Sequence, residues 1–125
     1  MTKQEDDRID KAPPVLYKGQ AVTILQTPVF QEWLASLRDR QARLRIDDRI
    51  KRLAAGNPGD TKPVGDKVHE LRLKFGPGYR IYYLWRRDTL IILLFGGDKG
   101  SQVRDILRAK NIAAEIDNAD ETGAL

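Results

Sequence analysis

Four cationic side chains, Arg72, Lys74, Arg80 and Lys99, stand where the chain can bring them together. Arg72 and Lys74 are two residues apart in an alternating segment, so both project from one face of a strand. Arg80 follows the turn Gly76-Pro77-Gly78, and its parity places it beside them on the next strand. Lys99 follows a long apolar run, where a sheet would end and a helix begin. Such a group can hold a phosphate. A guanidinium offers paired donors and stays charged, which makes Arg72 and Arg80 clamps and not bases. Lys74 is the better proton-transfer candidate, since crowding by other cations favours an amine that gives up its proton. The alternative readings are bland ones: a solvated strand face for Arg72 and Lys74, a cross-strand pair with Glu70 or Asp88 for Arg80, and a first-turn helix residue for Lys99.

Other chemistry-bearing residues are few. There is no cysteine, which excludes disulfides, thiol nucleophiles and cysteine zinc sites. The single histidine, His69, shares parity with Leu71, Leu73 and Phe75 and points away from Arg72 and Lys74, so a structural role is expected. Tyr79, Tyr82 and Tyr83 are potential stacking surfaces for bases. Tyr82 shares parity with Arg80 and is the expected stacker, whereas Tyr83 and Trp85 share parity with Ile81 and read as core. Arg45, Arg49 and Arg52 lie along one side of a helix and can meet a nucleic-acid backbone, an acidic protein segment or solvent. Asp98 reads as a helix N-cap. Gly76-Pro77-Gly78 lacks a following helix and lysine, so it is a turn and not a phosphate cradle. No metal or organic cofactor is expected.

The elements that must position these residues follow from periodicity. Gln20 to Gln26 reads as a strand. Thr27-Pro28 supplies an N-cap and a first helical residue. The helix that follows carries Val29, Phe30, Trp33, Leu34 and Leu37 at three- and four-residue spacing. Asp39 can cap a second helix that places Ala42, Ile46, Ile50 and Leu53 on one face, with Gly56 as its left-handed stop. After a loop rich in glycine and proline the period changes to two. Val68 to Phe75 and Tyr79 to Trp85 read as strands. Thr89 to Phe95 is continuously apolar, as in a central strand covered on both faces. A last helix shows the apolar stripe Val103, Ile106, Leu107, Ala113 and Ala114. The expected fold is α+β: a small, mainly antiparallel four-stranded sheet packed on a helical hairpin, in the order β-α-α-β-β-β-α.

The 125 residues suit one domain, and 41% hydrophobic with 32% charged content describes a globular chain. No apolar run approaches the ~20 residues of a membrane-spanning helix, and the charged start has no secretory apolar segment. A cytoplasmic location is expected. Residues 1–19 are polar, contain Pro13-Pro14 and read as a disordered leader. Residues 117–125 read as a flexible acidic tail. The leader is neutral and the tail carries three net negative charges, so the overall +4 leaves +7 on residues 20–116. A basic body of this kind suits a polyanionic partner.

Several segments carry a family resemblance. His69-Glu70-Leu71-Arg72-Leu73-Lys74-Phe75-Gly76-Pro77-Gly78-Tyr79-Arg80-Ile81-Tyr82-Tyr83, followed by Gly96-Gly97-Asp98-Lys99-Gly100-Ser101-Gln102, resembles the RelE/ParE superfamily of toxins. Gly56-Asn57-Pro58-Gly59-Asp60, Lys62-Pro63-Val64-Gly65 and the helix pair with Phe30, Trp33, Leu34 and Leu37-Arg38-Asp39-Arg40 are similar to its HigB-like addiction module killer protein branch. The resemblance spans residues 20–116. It implies a toxin of a type II toxin–antitoxin system, a helix-turn-helix antitoxin as partner, and metal-independent mRNA cleavage on the ribosome. Arg72, Lys74, Arg80 and Lys99 then match the basic residues of RNA-cutting relatives: Lys74 would take the 2′-hydroxyl proton, the arginines would neutralise the phosphate, and Lys99 or Arg80 would stabilise the leaving 5′ oxygen. Asp105 or a neighbour stands where some relatives carry a base-stacking tyrosine. The superfamily also contains non-enzymatic gyrase inhibitors, and an inactive relative that only binds its antitoxin is a third reading.

Overall fold

A computed structural model describes residues 15–18 and 22–121. Nine helices and strands occur in the described residues, in the order β1 (Val15–Lys18), β2 (Thr23–Gln26), α1 (Pro28–Ser36), α2 (Arg40–Ala54), β3 (Thr61–Gly65), β4 (Val68–Arg72), β5 (Tyr79–Arg87), β6 (Leu90–Asp98) and, after one 3₁₀ turn at Lys99–Ser101, α3 (Gln102–Glu121). The strands form one sheet in the order β1-β2-β6-β5-β4-β3. All neighbours are antiparallel except β2 and β6, which run parallel.

The α+β class holds, but the four-stranded sheet and its element order are corrected. Two edge strands were not expected. β1 lies inside the segment read as leader, and α3 runs through Glu121 into the segment read as tail. β3 lies in the loop rich in glycine and proline. Pro63 is tolerated there because β3 is the edge strand of the sheet among the described residues, where the missing N–H costs no ladder bond on the outer side. Its hairpin turn into β4 uses Asp66 and Lys67, both at positive φ (54° and 68°), instead of the usual asparagine or glycine. That leaves the turn without its common sequence signature.

The expected helix starts are present. Thr27 Oγ1 accepts the Phe30 N–H at 3.0 Å and donates to the Leu94 carbonyl at 2.9 Å, so one side chain caps α1 and ties it to β6. Asp39 caps α2 through the N–H groups of Gln41 and Ala42. Gly56, at φ 93°, closes α2. Helices α1 and α2 cover one face of the sheet: Phe30, Ala42, Ile46, Ile50 and Leu53 pack on Ile24, Leu71, Ile81, Tyr83, Ile91 and Leu93. Helix α3 covers the other, where Ala109, Ile112 and Ala113 pack on Val68, Tyr82, Leu84, Ile92 and Leu94. Full burial of one such Ile, Leu or Phe side chain stabilises the fold by about 1.5–3 kcal/mol. Ile91, Ile92, Leu93 and Leu94 are all fully buried, as a central strand between two helical layers requires.

The stripe expected on the last helix is partly wrong. Val103 and Leu107 are exposed (79% and 60%), and Ala114 is exposed as well. The buried face runs through Asp105, Ala109, Ile112 and Ala113 instead. The shift has a physical cause: the first turn of α3 lies over a polar cluster, so Asp105 turns inward. Trp85, read as core, is 39% exposed at an irregularity of the β5–β6 ladder. No helix among the described residues is long and apolar enough to cross a membrane.

Candidate functional site

The site is built on the β4–β5 hairpin. Glu70 faces Tyr82, and Arg72 faces Arg80, across that ladder. Beyond the strands, Leu73 N–H donates to the Tyr79 carbonyl and Gly78 N–H to the Phe75 carbonyl, both at 3.0 Å. Gly76 and Gly78 adopt positive φ (56° and 79°), which glycine accepts at no steric cost and which lets the loop fold back tightly. The neighbouring strand β6 ends at Asp98. Its carboxylate accepts the Gly100 N–H at 2.8 Å and caps the turn that carries Lys99.

Lys74, Arg80 and Lys99 converge on a shallow cleft of 350 Å³ whose floor and rim are Leu73, Phe75 and Gly76-Pro77-Gly78. Lys74 and Lys99 are exposed, whereas the Arg80 side chain retains only 11% exposure. Arg80 donates to the carbonyls of Gly78 and Tyr79, and its Nε lies 3.9 Å from Glu70 Oε2. The cross-strand pair with Glu70 is therefore realised while Arg80 still lines the cleft. Arg72 lines neither the cleft nor its neighbour. It donates to Asp60 Oδ1 at 3.1 Å, and Lys74 Nζ lies 3.7 Å from Asp60 Oδ2. Asp60 thus links two of the expected cations to the loop after α2.

Glu70 is fully buried. A buried carboxylate is costly unless its lone pairs are met. Here only Oε2 is met, accepting from the Tyr82 hydroxyl at 3.2 Å and from the Gln102 side chain at 2.8 Å, while Oε1 is buried without a hydrogen bond. Tyr82 is fully buried too, and its pKa is pushed far up by burial and by the adjacent Glu70 charge. Tyr82 has no surface for a base, which corrects its reading as the stacking residue. Asp105, in the first turn of α3, is buried and accepts from Ser101 Oγ. Strand parity placed Glu70 on the cationic face. Asp60 and Gln102 stand in segments that carry the resemblance, but no spacing marked them as partners of Arg72 and Glu70, because they reach the cluster from a loop and a helix outside the hairpin.

The α2 arginines separate into distinct roles. Arg49 donates to the Arg72 carbonyl at 2.8 Å and to the Pro58 carbonyl at 3.0 Å, stapling α2 to β4 and to the loop before β3. Burial, then the nearby Arg52 charge, draws its pKa below the ordinary guanidinium value. Arg45 lies with Cζ 4.8 Å above the Phe75 ring centroid. Arg45, Asp48, Arg49 and Arg52 line a second cleft of 290 Å³, closed by Leu73, Lys74 and Phe75. The two clefts share those last three residues. His69 stacks on Tyr83 at 5.4 Å, on the opposite face from Glu70, as parity predicts. Among the described residues no group of three or more His, Asp or Glu side chains is placed to hold a metal ion.

Fold and site together define a small α+β domain with a cationic cleft at one end of a mixed sheet. The chain belongs to the Phage derived protein Gp49-like family (DUF891), whose model matches residues 32–122, a family related to RelE-like toxins of toxin–antitoxin systems. It is 45% identical over 95 residues to a Haemophilus influenzae (strain ATCC 51907 / DSM 11121 / KW20 / Rd) protein described as uncharacterized, covering 76% of this chain and 96% of that protein. No solved structure matches the chain.

Proposed function

We propose that this protein is the toxin of a type II toxin–antitoxin pair of the HigB-like kind, acting in the cytoplasm as a ribosome-dependent mRNA endoribonuclease. The observation that carries the reading is the convergence of Lys74, Arg80 and Lys99 on one open cleft beside a glycine turn. Cleavage here is attack of the RNA 2′-oxygen on the adjoining phosphorus, with rupture of the bond to the 5′-oxygen. Lys74, released from Asp60 and in its neutral amine form, takes the 2′-hydroxyl proton. Arg80, held by Glu70 and the loop carbonyls, binds the non-bridging oxygens and stabilises the charge that grows on them. Lys99 donates to the departing 5′-oxygen. Arg72 contributes through field and position, since Asp60 holds its guanidinium. A helix-turn-helix antitoxin is the expected partner and would cover this surface. The pairing of Arg72 and Lys74 with Asp60 favours one second reading, a non-enzymatic toxin that binds gyrase through protein contacts.

Primer extension on message from a purified bacterial translation reaction distinguishes them. The wild-type protein is expected to leave cuts at A-site codons of translated mRNA only. Removing one such electrostatic contact costs about 10²–10³ in rate, so Lys99→Ala, an exposed change, should lose most cutting with its circular dichroism unchanged. Arg80→Ala should abolish it. Intact message with inhibited gyrase supercoiling would replace the nuclease reading.

A further inference from the structure

Burial of Tyr82 leaves the cationic surface with a different aromatic ring. Phe75 is half-buried and sits where the two clefts meet. Tyr79 holds its ring at 5.6 Å in a tilted contact, and the exposed Arg45 guanidinium lies over it at 4.8 Å. The clefts differ in chemistry. The one beside Arg80 and Lys99 is lined by cations and no acid, which suits a phosphate. The one beside Arg45 adds Asp48 to the arginines that line it, and that carboxylate can accept a hydrogen bond from a base amino group. An aromatic ring with an arginine plane over it is a surface on which unpaired bases stack. A volume of 290 Å³ stands at the lower end of small-ligand sites.

We propose that Phe75 and Arg45 form a stacking platform for one unpaired base of single-stranded RNA, while Lys74, Arg80 and Lys99 carry the adjoining phosphate. This rests on the RNA-directed reading above. It assigns base recognition to the β4–β5 loop and α2, and gives the chain a stacking surface that does not depend on a tyrosine in the last helix.

Fluorescence anisotropy of the full chain with a labelled hexa-adenylate, and with the same backbone made of abasic riboses, tests it. The wild-type protein should prefer the base-bearing strand by about five- to hundredfold. Phe75→Leu should remove most of that preference while leaving affinity for the abasic strand unchanged. Arg45→Lys retains the charge but not the plane, and should do the same without touching the core. Equal binding of the two strands by wild type, or an undiminished preference in both variants, overturns the platform and leaves the RNA reading standing. Failure to bind either strand at low salt also overturns the platform, while the ribosome-dependent reading stands or falls on the primer-extension result.

Discussion

Asp60 sits 3.1 Å from the Arg72 guanidinium and 3.7 Å from the Lys74 ammonium, and this places a carboxylate beside two of the four expected cations. Partial burial pushes its pKa up, but the hydrogen bond from Arg72 and the charges of Arg72, Lys74 and Arg49 outweigh that and hold it below the ordinary carboxylate range. The sign of the linkage follows. A carboxyl whose pKa is depressed by folding adds stability above the unfolded value of about 3.9, and that contribution is lost as pH falls through the folded value. The urea midpoint of wild type should therefore fall more steeply than that of Asp60→Asn below about pH 4, the two converging in acid. Parallel curves would show that the Asp60 pairs contribute nothing to folding. Arg72 and Lys74 were legible as cations on one strand face. Their shared counter-ion was not, because Asp60 lies twelve and fourteen positions earlier and meets them only through the loop before β3.

At the scale of elements, strand β6 has the closest contacts. A Cβ on Gly96 would collide with the Trp33 ring of α1, and one on Gly97 with the Asp105 carboxylate of α3. These two glycines let helices from opposite layers approach the same strand end, next to the cleft. Overpacking of this kind costs about 1–3 kcal/mol. Gly96→Ala should lose stability in that range by urea unfolding, and an unchanged midpoint would mean that α1 gives way easily. Periodicity and caps revealed α1, α2 and the central strand because each signal is local. The two edge strands escaped it. β1 is four residues beside two prolines, and β3 contains Pro63 and turns through non-glycine residues at positive φ. Both become strands through pairing with neighbours that are distant in the sequence or poorly marked by their turns.

For the whole molecule the governing quantity is the seven-charge excess of residues 20–116. A strand held by Lys74, Arg80 and Lys99 would displace about three counter-ions. The logarithm of affinity for single-stranded RNA should then fall against that of salt with a slope of about −2. A slope near zero between about 50 and 200 mM salt would point away from a backbone-binding surface and towards a protein target. The internal pairs Arg72–Asp60 and Arg80–Glu70 reduce the free charge, so only some of the excess faces a ligand.

Local chemistry in the sequence alone determined the helix starts, the central apolar strand, the alternating cationic strand and the placing of His69 away from it. Each depends on spacing within about ten residues, which backbone geometry converts directly into a face or a cap. The tertiary structure decided which aromatic ring meets solvent. Tyr82 and Arg80 share a face, but α3 covers Tyr82 and leaves Arg80 at the rim. It also decided that Phe75 stands beneath Arg45, and that Glu70 and Asp60 hold the cations in place. Those outcomes depend on how layers far apart in the chain close over the sheet, and strand parity carries no information about which part of a face a helix will cover.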